Sequence, residues 1–207
     1  MKSDDVVIAL RNHFQSSATE RSHQTGFHDW ALLTEVLSYG LSAPYWDLKL
    51  TPEELERRIV LSTLRSIDVM LMRNTGGRER YAIEIKVSRA DFFRETPAKR
   101  LPWELLTHRF IYAVPRGLVQ VSEVPQGCFL LEIDEEKCDD RVAPHRNCKN
   151  GGTQVHWNKA VKGVKRKPEP LSPSFTNYLI RRLSYSDFRY PVFIKRMQSK
   201  GREATNA

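Results

Sequence analysis

Arg65-Ser-Ile-Asp-Val-Met-Leu-Met-Arg73, then Asn74-Thr-Gly-Gly77, then Tyr81-Ala-Ile-Glu-Ile-Lys-Val87 is the stretch whose reading decides the fold. Its two outer segments alternate side chains with period two, the signature of β-strands. The Asn and Gly residues between them signal a turn, so the whole reads as an antiparallel hairpin. On the first strand Ile67, Val69 and Leu71 share one face, and Asp68, Met70 and Met72 the other. On the second, Tyr81, Ile83, Ile85 and Val87 share a face, and Glu84 and Lys86 lie opposite. With the turn centred on Gly76, position 68 falls opposite position 84, and a one-residue shift of register still leaves them neighbours.

Outward from the hairpin, Val6, Val7, Leu10 and Phe14 follow helical spacing, which predicts a helix over 4–14. Residues 15–28 are polar and loop-like, and Trp30–Leu37 fits a strand or a short helix. Residues 39–50 look irregular. Thr51-Pro-Glu-Glu54 is a helix start, with Thr51 as N-cap and Glu54 closing a capping box. Ser88-Arg-Ala-Asp91 repeats that device directly after the second strand and starts a short helix through Arg94. A helical segment over Pro102–His108 and strands at Arg109–Val114, Cys128–Ile133 and Thr153–Trp157 follow. Residues 162–173 read as a basic, proline-bearing linker, and Phe175, Leu179 and Leu183 place a last helix. The fold class is α/β (α+β), a small mixed β-sheet flanked by helices. The expected organisation is a domain over 1–158, with insertions near 39–64 and 134–153, and a basic C-terminal extension over 159–207.

The chain has 207 residues and a net charge of +8. Residues 159–207 hold 12 Lys/Arg against 3 Asp/Glu, and residues 1–158 hold 21 against 22. The whole basic excess therefore sits in the last quarter, which points to a polyanion, with nucleic acid ahead of a membrane surface. No apolar run reaches the ~20 residues of a membrane-spanning helix. Met1-Lys-Ser-Asp-Asp5 places two acids before a short apolar run, unlike a signal peptide. Three cysteines are too few for a disulfide framework. A cytoplasmic protein is expected.

The acids of the hairpin carry the chemistry. Paired across two strands, Asp68 and Glu84 would repel, and both ionise comfortably only around a cation. Mg²⁺ suits one or two carboxylates, its own waters and a substrate phosphate, and Mn²⁺ has the same ligand preference. Lys86, on the same face as Glu84, could stabilise charge growing on a phosphate or orient an attacking water. The alternative is an acidic pair on a solvated face with Lys86 as its salt-bridge partner. The apolar flanks of both acids, Ile67 and Val69, Ile83 and Ile85, favour the site.

Ile67-Asp68, the hairpin, Glu84-Ile85-Lys86 and the following helix resemble the PD-(D/E)XK nuclease superfamily. Ile83-Glu-Ile-Lys-Val-Ser-Arg-Ala-Asp-Phe92, Arg109-Phe-Ile-Tyr-Ala-Val-Pro115, Glu123-Val-Pro125 and Gly127-Cys-Phe-Leu-Leu131 look like its MmcB-like DNA-repair endonuclease branch. The resemblance covers roughly residues 28–134. It implies a restriction-endonuclease-like core, Asp68 and Glu84 as metal ligands, the backbone carbonyl of Ile85 as a third, and Lys86 as the catalytic lysine. Three departures stand out: Ile67 replaces the motif proline, the first helix lacks a Glu, and residues 39–64 look inserted. Glu35, in Leu33-Thr-Glu-Val36, matches a recurrent Glu-Val of the branch and is the expected substitute for the missing acid; the alternative is a surface strand residue.

The expected activity is Mg²⁺- or Mn²⁺-dependent hydrolysis of DNA phosphodiesters, in repair or in phage or bacterial DNA processing. A non-catalytic nucleic-acid-binding module on the same fold is the rival reading. Arg89, Arg94, Lys99 and Arg100 follow the catalytic strand and could track a phosphate backbone. Lys162, Lys165, Arg166 and Lys167 form a basic cluster without interleaved aromatics, suited to backbone contact. Ser88 and Asp91 are explained by capping, and Trp103 by core packing. Cys138, His145, Cys148 and His156 carry zinc-like chemistry, but their spacing matches no compact zinc motif. Cys128 reads as a buried thiol.

Overall fold

The computed structural model describes residues 1–15, 30–38, 51–54, 56, 59, 64–73, 78–135 and 153–183. The turn at 74–77, most of the expected insertions, Cys138, His145, Cys148 and the end of the basic extension lie outside them.

Six strands build one mixed sheet in sequential order: β1 (Trp30–Leu37), β2 (Ser66–Arg73), β3 (Arg80–Ile85), β4 (Arg109–Pro115), β5 (Phe129–Glu135) and β6 (Thr153–Trp157). β1, β2 and β3 pair antiparallel, β3, β4 and β5 parallel, and β6 returns antiparallel to β5. The parallel step from β3 to β4 needs a crossover, supplied by two helices, α2 (Arg89–Phe93) and α3 (Pro97–Leu106). The central strands are buried on both faces. β4 reads Phe110-Ile-Tyr-Ala-Val114 without a polar break, and all five residues are buried.

Helices cover the two faces. α1 (Ser3–Gln15) buries Val6, Ala9, Leu10 and Phe14 on one face of the sheet. This spacing of three or four residues is the helical stripe expected from the sequence. The other face carries α3 through Trp103 and Leu106, and a C-terminal helix, α4 (173–183), through Phe175 and Leu179. No helix among the described residues is long and apolar enough to cross a membrane.

Several elements correct the sequence reading. Trp30–Leu37, ambiguous by periodicity, is a strand because it has β2 to pair with. α3 begins at Pro97, with Thr96 at the cap position, and tolerates Pro102 inside it; the Thr-Pro start was a readable signal. Ile67 does not share its face with Val69 and Leu71. It packs with Met70 on the α4 side of the sheet, whereas Val69 and Leu71 lie on the α1 side. Regular alternation therefore fails at Asp68.

The described part of the basic extension is tied to the domain. Val164 N–H donates to the Gly127 carbonyl, Arg166 N–H to His108 and Glu169 N–H to Leu105, at 2.7–3.1 Å. Phe175 is fully buried and Leu179 is 2% exposed. Phe175→Ala should therefore destabilise the protein by about 3–5 kcal/mol, measured by urea denaturation. A loss under ~1 kcal/mol would mean that α4 is dispensable.

Candidate functional site

Each acid of the hairpin is positioned by where a ladder stops. The β2–β3 register pairs Val69 with Ile83, Met70 with Ala82 and Leu71 with Tyr81. Continued one step, it sets Asp68 opposite Glu84, as the sequence predicts. The backbone ladder ends before that pair. In its place the Asp68 carboxylate accepts the Ile85 N–H at 2.7 Å. A side chain thus takes the acceptor position of the strand edge, and the Ile85 amide is satisfied without a backbone partner. β3 then leaves the hairpin and stays attached to β4, where Lys86 N–H donates to the Ala113 carbonyl at 3.0 Å. Ser88 Oγ accepts the Asp91 N–H at 3.2 Å and starts α2, as expected of an N-cap.

Lys86 sits at the centre of a ring of carboxylates. Its Nζ lies 2.8 Å from Glu84 Oε1, 3.1 Å from Glu95 Oε2 and 3.6 Å from Asp91 Oδ2. The side chains of Lys86 and Glu95 are only 7% and 6% exposed. Burial alone would lower the Lys86 pKa, but its hydrogen bonds to Glu84 and Glu95 outweigh this and hold it above the ordinary value. Burial pushes Glu84 up to about 7. The nearby charge of Asp68 adds to the rise, and Lys86 opposes it. Asp68 is also raised, first by burial; the Ile85 N–H and Lys86 pull it down, and Asp91 and Glu35 push it up. The Asp91 carboxylate, expected to close a capping box, instead faces Lys86 and Arg94, and Ser88 alone caps α2.

Glu35 is exposed, on β1 beside β2. Its pairing slot opposite Asp68 is skipped, although Thr34 pairs with Val69 and Val36 with Ile67 on either side. Its φ is +50°, in the left-handed region that non-glycine residues rarely adopt. The expected third acid therefore stands near Asp68, at a break in the strand.

The donor set fits a hard divalent cation in its chemistry. Carboxylate oxygens of Asp68, Glu84 and Glu35, with the Ile85 carbonyl, are the oxygen donors that Mg²⁺ or Mn²⁺ prefers. Two acids with raised pKa values, crowded at one end of a sheet, are poised to gain from such an ion. The set is not a closed cage: among the described residues no group of three or more His, Cys, Asp or Glu side chains is placed to hold a metal ion. Asp68 is turned to the Ile85 N–H and Glu84 to Lys86.

Beside these acids lies a cleft of about 270 Å³. Arg65, Ser66, Glu84, Glu95, Lys99 and Trp103 contribute to its walls. The buried indole Nε1–H of Trp103 has no hydrogen-bond partner among the described residues, so the packing role expected for this residue leaves a donor unused. Of the basic residues read as phosphate contacts, Lys99 is exposed and lines the cleft. Arg94 bridges to Asp91 at 3.5 Å. Arg89 is held by both carboxylate oxygens of Glu123, at 2.5 and 3.0 Å, and by the Leu118 carbonyl. Arg100 and Arg166 both reach Glu104, and Lys165 pairs with Glu79. Lys162 and Lys167 are exposed. Glu84 and Glu95 belong to both the cleft and the lysine ring, and so link Lys86 to Lys99; the 162–167 cluster runs along the Gly127 and His108 edge instead. Of the zinc-like set only His156, in β6, is described, and Cys128 is buried.

Glu95 was missed by sequence reasoning. It follows the end of α2, where its N–H donates to the Phe92 carbonyl. The available signal was an acid placed two residues past a capped helix whose N-cap, Ser88, lies two residues after Lys86.

No protein-family model matches the chain, and no curated protein matches it either. Among solved structures, the chain is similar to a protein of unknown function from Silicibacter pomeroyi. That similarity is at 17% identity and a TM-score of 0.43, over 90% of each chain.

Proposed function

We propose that this chain is a DNA endonuclease that hydrolyses phosphodiester bonds with Mg²⁺ or Mn²⁺, in DNA repair or in phage or bacterial DNA processing, within the cytoplasm. The observation that carries this reading is the juxtaposition of Asp68, Glu84 and Lys86 at the end of β2 and β3. Their resemblance to the PD-(D/E)XK pattern, in its MmcB-like branch, supports it. Asp68, Glu84 and Glu35, with the Ile85 carbonyl, would hold the ion. The ion would supply charge neutralisation at the phosphate and a lowered pKa of a bound water. The chain's own contribution is to hold these acids close, to keep water off the buried lysine, and to place an ammonium beside the developing charge. Lys99 and Arg65 in the cleft are suited to phosphate contact, and the Trp103 N–H to an oxygen of the bound strand.

A specific observation favours the rival, a nucleic-acid-binding module without catalysis. Lys86 is already saturated by three carboxylates, so the ammonium is fully occupied as a structural ion-pair centre without any metal. A cleavage assay separates the two. Single-stranded, duplex, mismatched and branched DNA, and RNA, are incubated with Mg²⁺, with Mn²⁺ and with EDTA. The endonuclease reading expects cleavage of at least one DNA form, stopped by EDTA. Binding to DNA with no cleavage in either metal would favour the rival.

A further inference from the structure

The break in β1 at Glu35 is held from outside the sheet. Leu33 and Val36, three residues apart, both face the core under α4; a regular strand would turn them to opposite faces. The extra turn is taken up at Glu35, whose left-handed φ of +50° a side chain rarely adopts unless its surroundings enforce it. The surroundings are two side chains of α4. The Arg182 guanidinium donates to the Thr34 carbonyl through Nη2, and the same nitrogen lies 3.5 Å from the Glu35 carbonyl. The Tyr178 hydroxyl accepts the Leu37 N–H at 3.2 Å. Three backbone groups around one residue are therefore tied to one helix, and Phe175 and Leu179 root that helix in the core.

We propose that Arg182, assisted by Tyr178, is a positioning residue of the candidate site: it holds the left-handed break of β1 and thereby sets where the Glu35 carboxylate stands against Asp68. The metal-binding part of this inference rests on the function proposed above; the clamp itself does not. Arginine suits the task because its planar fork can serve neighbouring acceptors at once. The skipped pair in the β1–β2 ladder is the geometric consequence: Thr34 and Val36 keep their partners, and Glu35 does not. The charge of Glu35 reaches Asp68 across that gap. A merely structural role, covering the open edge of β1, would require no particular conformation at Glu35.

The test uses the full chain as Arg182→Gln and Tyr178→Phe, each alone and each combined with Glu35→Gln. Two readouts are taken: Mn²⁺ affinity by calorimetry, and the HN–Hα coupling of residue 35 by NMR in metal-free protein. Arg182→Gln should weaken Mn²⁺ binding roughly tenfold in the natural background and leave the Glu35→Gln background nearly unchanged, the non-additivity of two residues acting through one another. It should also move the coupling of Glu35 from its left-handed toward its extended value. Tyr178→Phe, which removes only a hydroxyl and should leave the fold intact, should shift the coupling in the same direction by less. Equal losses of affinity with and without Glu35, or an unchanged coupling in Arg182→Gln, would overturn the proposal. If the unmodified protein binds no Mn²⁺, the endonuclease reading fails, and the coupling alone then decides the clamp.

Discussion

Lys86→Ala should cost the folded protein about 3–5 kcal/mol at pH 8, the typical loss when one member of a buried ion pair is removed. The ammonium is held by Glu84 at 2.8 Å and Glu95 at 3.1 Å, with all three side chains less than a fifth exposed. Without it, two carboxylates face each other in a largely buried site. They escape by taking up protons, so the cost should shrink at pH 5, where protonation is cheap. On the proposed endonuclease reading, cleavage should fall by at least ~10²-fold as well, because the group proposed to stabilise transition-state charge is gone. The two effects separate in Lys86→Ala combined with Glu95→Gln. Neutralising Glu95 should recover part of the lost stability and none of the lost turnover. Urea denaturation at both pH values and a turnover measurement on each variant check this. An equal stability loss at pH 5 and pH 8 would remove the electrostatic explanation, and recovered cleavage in the double variant would place catalysis elsewhere.

The core of this site was legible because β-pairing is arithmetic. Once the hairpin is read, the sum of paired positions fixes Asp68 against Glu84, and alternation fixes Lys86 beside Glu84. The observed register, with Val69 on Ile83, gives the same sum. The N-cap at Ser88 and the capping box at Thr51 and Glu54 were readable for the same reason, since each depends on residues three apart. What escaped depends on how the chain turns in space. Glu95 acquires its role only because α2 turns it back onto Lys86. The face of Ile67 was misread because alternation presumes regular backbone. The left-handed Glu35 that ends this regularity on the neighbouring strand is held by Arg182, 147 positions away. A glutamate carries no intrinsic preference for that conformation, so nothing local announces it. The described part of the C-terminal extension shows the same limit. Its charge reads as a tail, yet one fully buried phenylalanine, Phe175, ties it to the sheet.

Glu84→Gln should abolish metal-dependent cleavage, by at least ~10²-fold, and at the same time make the metal-free protein more stable at pH 8. The second effect follows from linkage. The Glu84 carboxyl is pushed up to about 7 from an ordinary value of 4.5, first by burial and then by Asp68. Between those values the unfolded chain releases a proton that the folded chain keeps. The stability due to this group is therefore fully present below pH 4.5 and lost as pH rises through 7, to a limit of about 3 kcal/mol. Glutamine cannot ionise, so the variant should lack this slope, and the gap between the two proteins should open as pH rises. A divalent ion bound only by the folded state offsets the same penalty. Mn²⁺ should raise the Tm of the natural protein more at pH 8 than at pH 6, and leave Glu84→Gln nearly unmoved. Asp68→Asn is the companion test, because its amide oxygen can still accept the Ile85 N–H while its charge is gone. It too should lose cleavage and Mn²⁺ affinity yet fold normally. DNA affinity without metal should persist or rise in both variants, since negative charge facing the phosphates is removed. The measurements are thermal melts across pH with and without Mn²⁺, and cleavage in protein checked for contaminating nuclease. Unaltered cleavage by Glu84→Gln would sink the catalytic reading. A melting temperature indifferent to both pH and Mn²⁺ would leave the acids as a structural pair that only ends a hairpin.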